Sequence, residues 1–577
     1  MGAKEKIMDG KTALGIEFGS TRIKAVLTDD KGHVLATGFH DWENRLVNDI
    51  WTYTMEDIHN GLRGCYSSLV KSVKDQYGVV PETYGALGIS AMMHGILAFD
   101  KEGKLLSPFE TWRNSNTEQA ADALTNEFQF NIPLRWTISH IYQMVLEDRS
   151  FVKDFSFVTT LDSFIHWELT GEKVTGIGDA AGIFPIDSEK LDYDEEMMKK
   201  FDTLIKDKGY PWTLRDILPK VLVAGEQAGT LTEKGAKLLD ETGTLKAGVP
   251  MCPPEGDAGT GMVATNSVAP GTGNVSAGTS TFAMLVLQQD KKLSKLYREI
   301  DMVTTPDGYP VAMSHANNGT SDLNAWVNLF KEFSELMGFS VDMGDLYGKL
   351  YTNSLNGDKD CGGLLPYGYF SGEGITHLNE GRPLFARTPD SKFNLANFMR
   401  ANLYTSLGAV KLGLDILLKD EKVPVKSITG HGGLFKTKGV AQNYLAAAVN
   451  APVTVMDTAS EGGPWGEALL ALYMLRRKDA ETIGDLRVKD TGSLGDLRGK
   501  DTGSLGDFRG KDVGSLGDFR GKDAETLGDF LAKEIFAGQS GTTVSPDPAD
   551  VEGFETFTQR YKDGIAVEKA AVDTMKW

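Results

Sequence analysis

A carboxylate at the end of an apolar strand, followed at once by a glycine-flanked turn, is the first grouping in this sequence with chemistry in it: Gly15-Ile16-Glu17-Phe18-Gly19-Ser20-Thr21-Arg22-Ile23-Lys24. The Gly-Ser-Thr turn offers amides and hydroxyls, so carboxylate and turn would face one cluster of oxygens. A second stretch, Gly273-Asn274-Val275-Ser276-Ala277-Gly278-Thr279-Ser280-Thr281, repeats the theme without the carboxylate. That division is expected if one turn places Mg²⁺ and the other clasps terminal phosphates. Between them, Pro253-Pro254-Glu255-Gly256-Asp257-Ala258-Gly259-Thr260-Gly261 sets an acid among small residues at a helix start. Small neighbours let a substrate approach, and a general base for a hydroxyl needs such a carboxylate within hydrogen-bond reach. Taken singly, each stretch also reads as something plainer, an ordinary hairpin for the turns and an N-cap for Asp257. No Walker A sequence occurs, and the second stretch misses the dinucleotide fingerprint at its last position, which sets nicotinamide chemistry aside.

Positioning these residues takes strands and helices, and their pattern is regular. Apolar strands are expected at 13–16, 23–27 and 34–36, then a helix carrying Ile58, Leu62, Cys65, Leu69 and Val73, then a strand at 86–89. A second glycine-rich system begins near Gly271, and a helix with Phe398, Leu403, Leu407, Val410 and Leu414 precedes a strand at 427–429 and the Gly432-Gly433 loop. The second half thus repeats the βββαβ plan of the first. At 577 residues, 41% of them apolar, the chain exceeds what one core serves and needs two or more domains. A formal charge of -20 repels phosphate backbones and anionic lipid, so neither nucleic acid nor membrane is an expected partner. Cys65, Cys252 and Cys361 stand far apart and build no disulfide framework or CxxC metal site, and the first residues lead into no apolar targeting run. The cytoplasm is the expected compartment.

One segment breaks the order. Five 11-residue units begin at Lys478, Lys489, Lys500, Lys511 and Lys522, each with an apolar-Gly-Asp-apolar core such as Leu505-Gly506-Asp507-Phe508. The outer units carry Asp-Ala-Glu-Thr, a helix start, where the inner three carry glycine and serine. One unit tandemly duplicated into a poorly ordered surface insertion is the expected reading, because long insertions cost little loop-closure entropy.

In this order the chemical stretches resemble the FGGY carbohydrate kinases, a family of actin-like (ribonuclease H-like) sugar kinases, over about 12–477 and again near the C-terminus. The first hairpin is similar to the family's first phosphate motif, Asp257-Ala258-Gly259 to its catalytic Asp with small followers, and Gly278-Thr279-Ser280 to its second phosphate motif. Gly432-Gly433-Leu434 and Glu461-Gly462-Gly463-Pro464-Trp465-Gly466-Glu467-Ala468 resemble the adenosine-side pattern. Met92-Met93-His94-Gly95 is similar to the Met-His-Gly of xylulokinases, whose imidazole hydrogen-bonds substrate hydroxyls. Three departures stand beside these matches. Trp112-Arg113-Asn114 sits where related kinases carry Trp-Asn-Asp-x-Arg but runs on as Ser115-Asn116, the added Thr281 is more similar to ribulokinases, and Glu17 stands where the family usually has Asp.

The resemblance implies an α/β fold of two actin-like domains, with mixed β-sheets flanked by helices and a cleft between them. The domains would be a sugar-binding one over 12–268 and an ATP-binding one over 269–477, followed by the repeat insertion over 478–532 and an extension over 533–577 packing on the second domain. It implies ATP- and Mg²⁺-dependent phosphorylation of a small sugar, a ketopentose such as xylulose or ribulose, with a homodimer allowed. Asp257 would be the catalytic base and, with Glu17, would hold the metal. Gly19, Ser20, Thr21, Lys24, Gly278, Thr279, Ser280, Gly432, Gly433 and Leu434 would bind ATP, and Met93, His94, Trp112 and Asp257 the sugar. The competing class is a non-phosphorylating actin-like ATPase or sugar-sensing protein, favoured by Glu17 and the altered sugar-side residues. Asp257 opposes it, because a sensor has no need of a general base.

Overall fold

Two mixed β-sheets, each begun by a glycine-rich meander, organise the computed structural model, which describes residues 1–456, 462–492 and 525–576. In the first, β1 (Thr12–Phe18), β2 (Arg22–Asp29) and β3 (Val34–Asp41) run antiparallel. Then α1 (Met55–Tyr77), capped by Thr54 and closed by Gly78 at φ 69°, crosses back to β4 (Ala86–Ala91), parallel to β1. The five apolar residues predicted to line α1 are all buried. β3 lies directly on that helix, since a Cβ at Gly38 would stand 2.3 Å from the Leu69 amide nitrogen. After α2 (Leu161–Thr170) and α3 (Ile177–Ile183), the short β5 (Glu255–Gly256) joins the other edge of β4. The strand order is β5-β4-β1-β2-β3.

From the end of β5 the chain enters α4 (Asp257–Ala264) and then the second sheet. Its strands are β6 (Thr272–Ala277), β7 (Thr281–Val286), β8 (Asp301–Thr304), β9 (Pro310–Ala316), β10 (Ser427–His431), β11 (Val453–Met456) and β12 (Gly541–Val544), ordered β8-β9-β7-β6-β10-β11-β12. The repeated plan is present: β6, β7 and β9 form the meander, and β10 returns parallel to β6. The helices of this half include α5 (Ser321–Leu336), α6 (Leu395–Asp415), α7 (Val440–Val449), α8 (Gly462–Gly492) and α9 (Pro548–Thr574).

Two helices tie the halves together. At its far end α4 meets the second sheet, where Asn274 Nδ2 donates to Thr265 Oγ1 at 3.2 Å and Thr429 Oγ1 to the Thr265 carbonyl at 3.1 Å. α8 lies back against the first sheet and against α4 with almost no side chain between: a Cβ at Gly15 of β1 would come 2.1 Å from the Pro464 oxygen, and one at Gly466 2.1 Å from the oxygen of Thr260 in α4. α9 covers α6 and α7, with Phe554 stacked on Tyr404 at 4.0 Å.

The repeat departs from expectation at its ends. α8 runs on through the first unit to Gly492, and the last unit places Leu527 and Phe530 in the core beneath α8. An apolar pair three residues apart, started by Thr526 accepting from the Asp529 amide at 3.0 Å, makes a short helix with one buried face. The inner part, 493–524, lies outside the described residues. Among the described residues no helix is long and apolar enough to cross a membrane.

Candidate active site

The turn between β1 and β2 is held from behind. Gly19 N donates to the Arg22 carbonyl at 3.1 Å, while the turn's own carbonyls are taken by two stacked aromatic residues: Trp42 Nε1 donates to Gly19 O at 2.7 Å, Tyr53 Oη to Ser20 O at 2.6 Å and Trp42 N to Thr21 O at 3.2 Å. Among the described residues no acceptor meets the Ser20 and Thr21 amides. The turn between β6 and β7 repeats this. Gly319 N donates to Thr279 O at 2.8 Å, and Thr320 N and Oγ1 both donate to Gly278 O at 2.9 Å. The approach requires glycine, because a Cβ at Gly319 would sit 2.4 Å from Gly278 O. Two turns with spent carbonyls and free amides are donor-only surfaces, suited to phosphate oxygens. Gly432, at φ 99°, brings the third glycine loop against the second turn, where a Cβ would meet Ala277 O at 2.6 Å. Gly433 beside it is open, whereas Leu434 is buried in the core and anchors the loop instead of lining the site.

Asp257 opens α4 at the C-terminal ends of β4 and β5, with Oδ1 accepting from the Met93 amide at 3.2 Å. Solvent reaches it, yet it sits so deep that burial raises its carboxyl above the usual range against the pull of the Met93 and Ala258 amides. Glu17, at the end of β1, is pushed up to about 7 by burial and by the charge of Asp257, with Lys24, its cross-strand partner, opposing. The start of α8 roofs this pair: a Cβ at Gly463 would lie 2.4 Å from Glu17 Oε1 and 2.9 Å from Thr260 Oγ1.

On the other side of Asp257, β4 ends in Met93 and His94. His94 has φ 74°, a left-handed conformation rare for a residue with a Cβ, and Gly95 follows at 82°. This bend turns the imidazole toward Gly182, whose Cβ, if present, would be 2.6 Å from Nδ1. Burial, and next the Arg135 guanidinium, hold His94 well below the usual histidine range, so the ring is neutral and free to share hydroxyl hydrogen bonds. Trp112 is exposed in the neighbouring loop. Asn114 is committed to structure, receiving from Trp51 N at 2.9 Å and donating to Trp51 O at 2.9 Å.

Sequence reasoning missed the far wall. Arg135 pairs with Asp301 of β8, Asn131 Nδ2 donates to Asp301 Oδ1 at 2.8 Å, and His315 of β9 stacks on Phe282 at 6.4 Å. His315 is pushed down to about 4 by burial and by Arg135, with Asp301 opposing. Thr260, one turn after Asp257, was also passed over as a small neighbour; its hydroxyl lies 3.3 Å from that of Ser90.

Beneath the site lies a bed of buried acids. Glu255 Oε1 accepts from Gly178 N at 2.7 Å and Asp179 Oδ2 from Thr160 Oγ1 at 2.6 Å, while Glu467 of α8 receives the Cys252 thiol at 3.2 Å. Burial pushes Glu255 up to about 8 and Asp162 to about 6. Asp179, burdened also by the charge of Asp162, and Glu467 rise well above the usual range.

Comparison with known proteins bears on the family and the fold. Models for the FGGY family of carbohydrate kinases match residues 12–264 (N-terminal domain) and 273–475 (C-terminal domain). The chain is 22% identical to a glycerol kinase of Methylobacterium radiotolerans over 493 residues, 79% of this chain and 89% of that one. It is also 22% identical to a xylulose kinase of Haemophilus influenzae over 481 residues, 80% and 90% of the two chains. The crystal structure of a ligand-bound xylulose kinase from Lactobacillus acidophilus superposes with a TM-score of 0.70 at 15% identity, covering 98% of this chain and 99% of that one, a likeness of fold.

Proposed function

The chain belongs to the FGGY family of carbohydrate kinases, and we propose that within it the protein transfers the γ-phosphoryl group of ATP to a hydroxyl of a ketopentose. One observation carries the reading. Asp257 is held by the Met93 amide with the neutral His94 on one side and Glu17 with two donor-only turns on the other. A sugar held by His94 brings a hydroxyl to Asp257, which takes its proton as the oxygen attacks the γ-phosphorus and ADP leaves in line. The Ser20, Thr21, Thr279 and Ser280 amides stabilise charge gathering on the phosphoryl oxygens. The donor set fits Mg²⁺, which takes one or two carboxylates with water and phosphate oxygens completing its shell. Glu17 and Asp257 supply two carboxylates close enough for one to raise the other, and no group of three potential ligands occurs among the described residues. Bound there, Mg²⁺ would neutralise charge on the transferring phosphates.

The test is a panel of ketopentoses, glycerol and aldonates, assayed for ADP release with the phosphorylated product identified by mass spectrometry. A phosphorylated ketopentose supports the reading. Phosphorylation of glycerol or an aldonate alone overturns the substrate class, and ADP release with no phosphorylated sugar favours the ATPase alternative.

A further inference from the structure

Where the two halves of the chain meet, next to the Arg135–Asp301 pair, lies a cavity of about 520 Å³. One wall belongs to the first half, with Phe130, the segment 185–189 that follows α3, and Met197 of the helix Glu195–Leu204. The other belongs to the second half, with Leu293 and Leu296 of the segment leading into β8 and Met302 of β8 itself. A cavity of this size with an apolar lining and a few polar groups at its edge has the form of a small-molecule site.

Six charged side chains edge it, and three of them are spent. Asp187 accepts from the Glu189 and Lys190 amides at 3.1 and 3.2 Å and lies 3.3 Å from the Lys190 ammonium, Asp194 caps its helix through the Met197 amide at 2.9 Å, and Lys291 pairs with Glu421 at 2.9 Å. The other three are Glu189, Lys292 and Lys295, and among the described residues none of them meets an opposite charge. Lys295 Nζ stands 4.9 Å from the centroid of the Tyr297 ring, which also lines the cavity. Two ammonium groups against one carboxylate leave a positive surplus beside apolar surface, which suits a ligand with an apolar body and one anionic group.

Bonds from one half to the other rim the cavity. Asn131 Nδ2 donates to Ile300 O at 3.1 Å and to Asp301 Oδ1 at 2.8 Å, Gln289 Nε2 to the Ser188 carbonyl, and Thr304 Oγ1 to the Ile177 carbonyl at 2.9 Å. A molecule touching both walls holds them at this spacing, and the same spacing keeps Asp301 on Arg135, whose charge reaches His94 and His315. We propose that the cavity is an effector site for a carboxylate on an apolar body, whose binding fixes the junction and tightens the sugar side. The effect on the sugar rests on the function proposed above; the binding itself does not.

Calorimetry of the full chain, without sugar or ATP, tests the site with 1-naphthoate, 1-naphthalenemethanol and 1-naphthylmethylamine, which share an apolar body and differ in charge. Naphthoate is expected to bind once per chain with a Kd on the order of 100 μM, the alcohol about tenfold more weakly and the amine more weakly still. Lys292→Ser with Lys295→Ser, both at exposed positions, should leave the melting temperature unchanged and bring naphthoate and the alcohol to equal affinity. Met197→Trp should fill the cavity and abolish binding of both, whereas Met197→Leu, which nearly keeps the volume, should retain it. Saturating naphthoate should lower the sugar KM about fivefold, and saturating sugar should tighten naphthoate by the same factor. Absence of binding, binding that survives Met197→Trp, or an amine that binds tightest overturns the site, and naphthoate that binds with the sugar KM unmoved overturns the effector role. A chain that binds naphthoate in this pattern but phosphorylates no sugar upholds the site and overturns the reading of function.

Discussion

Asp257 and Glu17 crowd each other, and that crowding sets what each substitution should do. Asp257→Asn keeps the shape but takes no proton, so turnover should fall by ~10²- to 10⁴-fold with ATP binding nearly intact, as measured by single-turnover kinetics and calorimetry. A variant retaining more than about a tenth of wild-type turnover would remove Asp257 from the role of base. Glu17 acts ionised, and without a cation beside it its folded value of about 7 lies above the ordinary range, so the Mg²⁺ needed for half-maximal turnover should rise as pH drops through 7. Glu17→Gln should be slower and should lose that pH dependence. His94→Ala should raise the sugar KM more than it lowers kcat, and Glu17→Ala should do the opposite; a shared pattern would refute separate sugar and phosphate sides. The two turns and Asp257 were legible because each is a run of adjacent residues with its own chemistry. Arg135, Asp301 and His315 were not, because they come from three segments and meet only in space.

At the scale of elements, α1 could be read from periodicity, since its apolar residues face one way, and the meanders from short apolar runs punctuated by turn residues, their strands being buried on both faces. The packing of α8 on β1 and α4 could not, because glycines at 15, 463 and 466 signal an absence of side chain without naming what fills it. That junction encloses the buried acids, and its pH response has a definite sign. Glu255, Asp179 and Glu467 have folded values raised above their unfolded ones, so the folded state holds protons that the unfolded state has released. Their contribution is complete below about 4.5 and is lost as pH rises, for Glu255 through about 8, at a slope of ~1.4 kcal/mol per pH unit for each proton involved. Melting temperature should therefore fall from pH 5 to pH 9. Glu467→Gln, which accepts the Cys252 thiol without a charge, should flatten that fall, with a gain larger at pH 8 than at pH 5. An unchanged slope would mean that Glu467 is ionised in the fold.

For the whole molecule, the two-domain plan followed from the repeated strand order, while the ends of the 11-residue repeat misled because a unit of identical type can be core or surface according to what it lies against. Leu527 and Phe530 of the last unit are core. Deleting 489–521, which spares that unit and joins Val488 to Lys522, should leave activity near wild type and the melting temperature within about 2 °C. A drop of ten degrees or more would make the removed units structural. The two sides of this segment are clasped at its base, where Tyr473 donates to the Glu525 carbonyl at 2.9 Å and Arg476 Nε meets Glu525 at 2.5 Å. Doubling a closed loop costs only ~0.6 kcal/mol, so the core scarcely senses how many units the clasp encloses. A replication slip that gains or loses one whole unit would keep the reading frame and, with the deletion of 489–521 silent as expected, would leave the two clasped sides in place.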